Sequence, residues 1–184
     1  MNNSIFDGKK VRLTIVDPEK DTEYLAKWSL DSEYSRLLND GAAYMWTPKQ
    51  IKEWIEKEKN IYFFIIRTMA DDQPIGFLDL SGFNWSTRDA WVGIGLGERE
   101  FWGKGYGTEA MQIILRYAFQ EMNLNRINLN VFEYNSRAQK SYLKCGFVEE
   151  GRSRQSMLRD GKRWDMVYMG LLRSEWEAKS TGKK

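Results

Sequence analysis

The feature of this sequence that most constrains the fold is the stretch WGKGYG, residues 102–107, in which every second residue is a glycine. It follows a strand-like run, DAWVGIGLG, at residues 89–97. Behind it, apolar residues recur at intervals of three and four and predict an amphipathic helix from about residue 105 to 122. Alternating apolar residues in RINLNVF, residues 126–132, predict another strand. A strand, a long helix and a second strand indicate a parallel pair of neighbouring strands.

Antiparallel pairing is predicted on both sides of this unit. Before it, the strand-like runs at residues 60–69 and 73–83 are joined by ADDQP, which has the composition of a hairpin turn. After it, the runs at residues 147–158 and 163–172 flank the dipeptide Asp-Gly, a strong signal for a two-residue hairpin. The sequence therefore predicts the mixed α/β class, with helices packed against one mixed, mostly antiparallel sheet.

The other helices are predicted from signals at their ends. A strand at residues 9–16 is followed by DP at 17–18, which we interpret as a helix start because proline is tolerated in the first turn. The dipeptide TP at 47–48 predicts a second start, with apolar residues at helical spacing behind it. A third helix is predicted at residues 136–144 and ends at Gly146, a residue suited to a left-handed cap.

Length and charge limit the classes of protein that remain. With 184 residues, of which 42% are hydrophobic, we predict a single domain over residues 1–184, its core at about 10–172 and a disordered tail at 177–184. The net charge of +2 gives no basic field that would favour nucleic acid. The first ten residues lack the apolar segment of a signal peptide, and no run approaches transmembrane length. We therefore expect a cytoplasmic protein that binds neither nucleic acid nor membranes.

Missing residue types exclude several kinds of chemistry. The chain contains no histidine, which excludes a Ser-His-Asp triad, a Cys-His dyad and the commonest metal ligand. Cys145 is the only cysteine, so neither a disulfide framework nor a zinc cluster can form within the chain. Its apolar neighbours favour a buried structural thiol over a nucleophile. We expect no metal site.

The glycine loop has the properties of an anion-binding loop. Glycine lacks a Cβ, so GKGYG can turn several backbone N–H groups toward one point, and the following helix adds unpaired N–H groups at its start. The alternative is a flexible glycine turn. The spacing excludes a Walker loop, because five residues separate Gly97 from Gly103 and Gly105 follows the lysine. A dinucleotide fingerprint fails too, because Thr108 stands where its third glycine belongs.

Two motifs together resemble those of the GCN5-related N-acetyltransferase (GNAT) superfamily, and within it the branch of ribosomal-protein-alanine and spermidine acetyltransferases. The first is WGKGYG, which is similar to the family's acetyl-CoA loop (Q/R)-x-x-G-x-(G/A). Trp102 stands in its Gln/Arg position. The second is N-x-x-(A/S)-x-x-x-Y-x-x-x-G-F, which NVFEYNSRAQKSYLKCGFVEEG resembles. The resemblance extends from about Lys10 to Leu172 and implies a sheet of about seven strands, splayed between the fourth and fifth.

The resemblance implies an acyltransferase that uses acetyl-CoA as co-substrate and passes the acetyl group directly to a primary amine in a ternary complex. It also implies that backbone N–H groups around Ile94 to Leu96 stabilise the oxyanion. We interpret Gly93, Gly95 and Gly97 as a bulge that frees these groups. The cofactor-binding residues expected on these grounds are Ile94, Leu96, Trp102, Gly103, Lys104, Gly105, Tyr106, Gly107, Thr108, Asn135, Arg137, Ala138, Lys140 and Tyr142.

Catalytic groups are predicted from what acyl transfer requires. The departing thiolate needs a proton donor, and Tyr142 is the candidate because it lies on the same helix face as Asn135. Many relatives carry a glutamate on the strand before the loop, but Trp91 stands at that position here. Asp89, Glu98 and Glu150 are the candidate bases, and the alternatives are solvated surface carboxylates or an amine that enters already neutral.

The acceptor side is predicted only in outline. Carboxylates attract a protonated amine, and the candidates are Asp79, Glu149, Glu150 and the hairpin at residues 159–165. Tyr44, Trp46 and Trp85 are candidate pocket aromatics, with core or rim packing as the alternative.

Three functions stay open from the sequence. The first is an N-acetyltransferase acting on a protein N-terminus, a polyamine or another small amine. The second is an acyl-CoA-binding sensor with little turnover, which tryptophan at the usual base position favours. The third is a nucleotide-binding domain of another kind, which only the glycine loop supports. Eight tryptophans, one of them in the segment TPKQIKEWIEKEK, also suggest a homodimer contact, with burial within the monomer as the alternative.

Overall fold

A computed structural model describes residues 4–181, and its centre is one seven-stranded sheet. The strands are β1 Val11–Ile15, β2 Tyr62–Thr68, β3 Pro74–Asn84, β4 Asp89–Leu96, β5 Arg126–Phe132, β6 Val148–Arg159 and β7 Lys162–Leu172. Their order across the sheet is β1-β2-β3-β4-β5-β7-β6. Only the β4–β5 pair is parallel among these strands, which confirms the predicted mixed sheet.

Six α-helices accompany the strands in the described part of the chain. They are α1 Asp21–Ser29, α2 Ser32–Leu38, α3 Pro48–Lys57, α4 Tyr106–Arg116, α5 Ser136–Cys145 and α6 Arg173–Thr181. A short 3₁₀ turn precedes the glycine loop at Arg99–Phe101, and a π-helical turn extends α4 over Tyr117–Glu121. No described helix has both the length and the apolar character that crossing a bilayer requires.

The local signals at turns and caps are confirmed. Thr47 caps α3 in a reciprocal capping box with Gln50. Gly146 caps α5 in the left-handed conformation at a φ of 111°. Asp160 and Gly161, with φ of 53° and 73°, turn the chain from β6 into β7. These features depend on a few adjacent residues, which is why the sequence predicts them well.

Two predicted boundaries are wrong. Helix α1 begins at Asp21 and not at residues 17–18, because the carboxylate of Asp21 accepts a hydrogen bond from the Asp17 N–H and pairs with Arg67 of β2. The chain at residues 18–20 is a turn instead. At the other end, the tail predicted from residue 177 continues as helix α6 to Thr181, and residues 182–184 lie outside the described residues.

The sheet divides between its fourth and fifth strands, as the resemblance implied. Strands β4 and β5 pair only where Asp89–Trp91 meets Arg126–Asn128. Beyond Trp91 the two strands separate, while β4 stays paired with β3. The gap therefore opens toward the carboxyl end of β4, where the glycine loop begins.

The predicted bulge at the β4 glycines is wrong. The β3–β4 register runs without a shift from Gly76 opposite Leu96 to Ser81 opposite Trp91. The glycines instead make room for side chains of α1 and α2: a Cβ at Gly97 would lie 2.1 Å from the Trp28 indole, and one at Gly95 would lie 2.8 Å from the Tyr34 hydroxyl. One face of β4 is therefore in direct contact with these helices.

The opposite face of the sheet carries the main core, where α4 packs on the strands. Its apolar side chains are buried as the predicted helix face requires, including Met111, Ile114 and Phe119. On the face that contacts α1 and α2, Trp54 of α3 packs edge-on against Phe63 of β2, with ring centres 5.6 Å apart. The homodimer contact suggested for this region stays a prediction.

Candidate active site

A cavity of about 480 Å³ lies where β4 and β5 separate. Its walls come from α2, the carboxyl half of β4, the glycine loop, the end of β5 and the exposed side of α5. Most of the predicted cofactor residues line it: Ile94, Leu96, Trp102, Gly103, Gly105, Gly107, Thr108, Asn135, Arg137, Ala138, Lys140 and Tyr142. The tertiary structure thus brings the two motifs together at one site.

The glycine loop has the backbone conformation that its composition predicted. Gly103 and Gly105 have φ of 72° and 89°, in the left-handed region that favours glycine. Gly105 is also the N-cap of α4, so the free N–H groups of the first helical turn follow it directly. A Cβ at Gly103 would meet no atom within 4 Å, which leaves open space beside the loop for a ligand.

Two predicted loop residues do not line the cavity. The backbone carbonyl of Lys104 accepts a hydrogen bond from Lys10 Nζ at 2.8 Å, which ties the loop to the start of β1. The ring of Tyr106 packs edge-on against Phe101, with centres 4.9 Å apart, and lies beneath the same lysine. Both residues stabilise the loop through contacts outside the cavity.

Trp102, in the Gln/Arg position of the family motif, anchors the loop to β4. Its indole Nε1 donates to the Leu96 carbonyl at 2.7 Å. The guanidinium of Arg137, from α5, lies 3.6 Å from the centre of the indole ring, within cation–π range. Burial lowers the pKa of Arg137, and no carboxylate in residues 4–181 forms an ion pair with it. The tryptophan thus positions an unpaired cation beside the glycine loop.

Charge is distributed unevenly along the cavity. Among the described residues, the charged side chains that line the cavity are all basic. They are Arg137, Lys140 and Lys144 of α5. These residues border the end nearest the glycine loop. A cluster of cations beside free helix N–H groups binds phosphate oxygens well. The residues present therefore fit the phosphates of coenzyme A.

Tyr142 is held firmly in the cavity wall. Its ring is 9% exposed and packs edge-on against Phe147, with centres 6.0 Å apart. Burial raises the pKa of Tyr142 well above its usual value, so the phenol keeps its proton at neutral pH. Helix α5 itself is fixed to α4 by a 2.8 Å hydrogen bond between the hydroxyls of Thr108 and Ser141.

Asn135 serves helix α5 as its N-cap. Its side chain accepts from the Ala138 N–H at 3.2 Å, and it is 9% exposed. The same segment is tied to β5 by Gln139, whose amide donates to the carbonyls of Phe132 and Glu133. This cap positions Arg137 and Tyr142 along the gap.

The backbone of β4 presents free groups to the gap at the predicted positions. The N–H of Gly97 donates to Ile75 of β3 at 2.9 Å. Because successive residues of a strand turn their N–H groups to opposite sides, those of Leu96 and Ile94 turn away from β3. The Leu96 carbonyl confirms this direction, since it accepts from Trp102. These N–H groups therefore face the space that β5 leaves.

The three candidate bases lie outside the cavity wall. Glu98 is held by Lys27 at 2.7 Å and by Trp28 Nε1 at 2.9 Å; burial raises its pKa, but these two donors outweigh it and lower the pKa overall. Asp89 lies at the closed end of the gap, about 13 Å from Gly93 at roughly 3.3 Å per strand residue. Glu150 forms an ion pair with Arg126.

The other acceptor-side candidates also form contacts with groups outside the cavity, with one exception. Glu149 pairs with Arg152 at 2.6 Å, and Trp85 stacks on Phe83 in the β3–β4 turn. Tyr44 and Trp46 pack against each other in the segment before α3, and none of these aromatics lines the cavity. The exception is Asp79 of β3, whose pKa burial raises to about 6.

Sequence reasoning missed the end of the cavity that α2 forms. Tyr34, Leu37 and Leu38 line it there, and Tyr34 is 6% exposed with a hydroxyl that has no hydrogen-bond partner among the described residues. The available signal was the glycine at every second position of β4, which permits this close approach.

Comparison with known proteins gives consistent results. The family model described as "Acetyltransferase (GNAT) domain" matches residues 12–148. A spermidine N(1)-acetyltransferase of Vibrio cholerae is 33% identical over 107 residues, which are 58% of this chain and 61% of that protein. The [ribosomal protein uS5]-alanine N-acetyltransferase of Escherichia coli is 26% identical over 121 residues, 65% of this chain and 62% of that protein.

Among solved structures, the fold is similar to that of a spermidine N-acetyltransferase from Vibrio cholerae crystallised with CoA and spermine. The TM-score is 0.82 at 23% identity, and the match covers 92% of this chain and 99% of that one. The predicted fold class is therefore confirmed at the level of the whole sheet.

Proposed function

The chain belongs to the GNAT family of N-acetyltransferases, and from this premise we propose that it transfers the acetyl group of acetyl-CoA directly to a primary amine. Both substrates would occupy the gap between β4 and β5 together, in a ternary complex. The acceptor would be a protein N-terminus, a polyamine or another small amine. A cytoplasmic location is part of the proposal, because acetyl-CoA is available there.

One observation carries this proposal: the cavity has two chemically different ends. The end at the glycine loop has Arg137, Lys140 and free N–H groups, which suit the phosphates of acetyl-CoA. The end at α2 is formed by Leu37, Leu38 and Tyr34, and it suits the uncharged part of an acceptor. An elongated, anionic thioester and an amine can meet between these ends.

The residues at the middle of the gap support acyl transfer chemically. The N–H groups of Ile94 and Leu96 can stabilise the oxyanion of the tetrahedral intermediate. Tyr142, which keeps its proton, can donate it to the sulfur as the C–S bond breaks. Direct transfer requires no covalent enzyme intermediate, which is consistent with Cys145: it is buried, and burial raises the pKa of its thiol to about 12.

A second function, an acyl-CoA sensor with little turnover, is favoured by one observation. Trp91 occupies the strand position where many relatives have a glutamate, and its side chain is 38% exposed. The sensor would keep the loop and α5 but lack a base.

A thiol-release assay distinguishes the two functions. Acetyl-CoA is incubated with spermidine, spermine, peptides beginning with Ser or Ala, lysine peptides and aminoglycosides, and a reaction without amine serves as the control. Release that depends on one acceptor class, with the acetylated product seen by mass spectrometry, supports the transferase. Acetyl-CoA binding in calorimetry without amine-dependent release would instead support the sensor.

A further inference from the structure

Asp79 is a carboxylate in an unusual setting on the α1/α2 side of the sheet. It lies on β3, directly opposite Phe63 of β2 on one side and Gly93 of β4 on the other. Residues opposite each other on neighbouring strands share a face, so its side chain lies between an aromatic ring and a bare backbone. Gly93 is itself part of the cavity wall.

Glycine at position 93 brings this carboxylate to the edge of the cavity. A Cβ at Gly93 would lie 2.4 Å from Oδ2 of Asp79, a distance that real side chains do not tolerate. Any other residue would therefore displace the carboxylate or separate it from the gap. The absence of a side chain at Gly93 leaves Oδ2 next to a backbone segment that lines the cavity.

The carboxylate has no cation to neutralise it. Its one hydrogen bond within the described chain comes from the Ser81 hydroxyl at 3.1 Å, and no lysine or arginine of residues 4–181 forms an ion pair with it. The groups that face it are Ser81 on its own strand, Phe63 of β2, and Gly93 of β4. From α2, the unpartnered Tyr34 hydroxyl reaches β4 at Gly95. A partly buried carboxylate that no cation neutralises is costly to keep, and such groups concentrate at functional sites.

The remaining carboxylates near the gap are engaged in ion pairs or lie far from it. Glu98 is bound by Lys27 and Trp28, and Glu150 by Arg126. The strand position that usually carries the base is Trp91, which lies opposite Ser81. Asp79 is the carboxylate that stands beside the cavity wall on the same face.

We propose that Asp79 binds the acceptor amine and takes its proton, replacing the glutamate that β4 lacks at Trp91. This inference rests on the proposed function. The acceptor would enter from the α2 end of the cavity and meet Asp79 beside Gly93.

The proton balance of this step is complete. The ammonium form of the acceptor gives one proton to the Asp79 carboxylate, and the neutral nitrogen then attacks the thioester carbon and forms the C–N bond. The tetrahedral intermediate loses a second proton from nitrogen as the C–S bond breaks. The leaving thiolate takes a proton from Tyr142, which is reprotonated by the second proton. Asp79 returns its proton to solvent, so one proton is released for each amide formed.

The test compares wild type with Asp79→Asn, with Asp72→Asn as the matched control. Asp72 lies in the exposed turn before β3 and pairs with Arg12, so the same chemical change occurs away from the cavity. Steady-state kcat and KM for an amine found in the panel are measured from pH 5 to 9. Acetyl-CoA-induced shifts of Tm are measured in parallel, to show that each variant folds and binds the co-substrate.

The expected result is a loss of about 100-fold or more in kcat for Asp79→Asn at neutral pH. Its Tm shift with acetyl-CoA should be unchanged, and turnover should recover as pH rises toward the pKa of the free amine. In wild type, kcat/KM should show an inflection near pH 6, below which it falls more steeply. In Asp79→Asn this inflection should be absent, and kcat/KM should rise steadily with pH. Ser81→Ala should move the inflection to higher pH, because the Ser81 hydrogen bond lowers the pKa of Asp79.

The outcomes separate the two proposals. Wild-type turnover with an unchanged rate and pH profile in Asp79→Asn would overturn the role of Asp79 and leave the transferase intact. A loss of rate in Asp79→Asn with the inflection near pH 6 still present would also overturn it. Failure of wild type to acetylate any amine would overturn both.

Discussion

At the scale of single residues, Tyr142 shows how the surroundings select one protonation state. Burial disfavours the phenolate and raises the pKa of Tyr142, so the phenol stays protonated over the physiological range. The ring is fixed by Phe147 and by the attachment of α5 to α4. Its hydroxyl is therefore positioned before any substrate binds.

Tyr142→Phe should lower kcat by about 10²-fold or more while leaving the affinity for acetyl-CoA unchanged. The reason is that phenylalanine keeps the packing against Phe147 and loses only the proton donor. Thiol release measures kcat, and calorimetry measures acetyl-CoA binding. Unchanged turnover would remove Tyr142 from the mechanism.

Asp79→Asn should stabilise the fold at neutral pH and have much less effect near pH 4. The pKa of Asp79 rises from 3.8 to about 6 on folding. Between these values the folded state holds a proton that the unfolded state has released, so the free energy of unfolding falls as pH rises through this window. The amide carries no charge to bury at pH 7.

Thermal unfolding of both proteins at pH 4 and pH 7.5 measures this difference. The gain in Tm for Asp79→Asn over wild type should be larger at pH 7.5. An equal Tm difference at both pH values would mean that the carboxylate is not destabilised by burial.

At the scale of elements, the two faces of strand β4 contact different helices. Its apolar residues face α4 and the core, while Gly93, Gly95 and Gly97 face α1 and α2. Replacing large side chains with glycine costs strand propensity but allows Tyr34 and Trp28 to approach the backbone. The strand thereby forms one wall of the cavity at the end that α2 borders.

Gly97→Ala should destabilise the protein by about 1–3 kcal/mol. The added Cβ would lie 2.1 Å from the Trp28 indole, which is 2% exposed and has little room to move. Gly107→Ala is the control, because its Cβ would make ordinary contact with Leu96 at 3.5 Å. Urea unfolding should show a loss of stability only for Gly97→Ala, and equal stability of the two variants would contradict the packing argument.

At the scale of the whole molecule, the cavity connects elements that are distant in sequence. Helix α2, the gap in the sheet, the glycine loop and α5 each contribute one wall. A ligand that spans the cavity joins these elements, so its binding energy stabilises the whole fold.

Acetyl-CoA at about 100 times its Kd should stabilise the protein by about 2.7 kcal/mol, which corresponds to roughly 5–10 °C in Tm for a chain of this size. Pantetheine lacks the phosphates and should give a much smaller shift. Arg137→Ala should reduce the shift from acetyl-CoA more than that from pantetheine. Equal shifts from the two ligands would contradict phosphate binding by α5 and the glycine loop.

Local features were predictable from sequence because they depend on neighbouring residues. The glycine loop, the caps at Thr47 and Gly146, and the alternation of β5 follow from backbone preferences and periodicity. The two family motifs also predicted which loop and which helix line the cavity. These conclusions required no knowledge of which strands are neighbours.

Only the tertiary structure determined the end of the cavity that α2 forms. Whether Asp79, Glu98 or Asp89 is unpaired depends on residues far away in the sequence, such as Lys27, which binds Glu98 across 71 positions. The glycines of β4 indicated a special backbone, but only the packing of α2 shows that they admit side chains. Sequence patterns report local conformation, whereas burial and ion pairing are properties of the assembled fold, and these properties distinguish the carboxylate of Asp79 from the others.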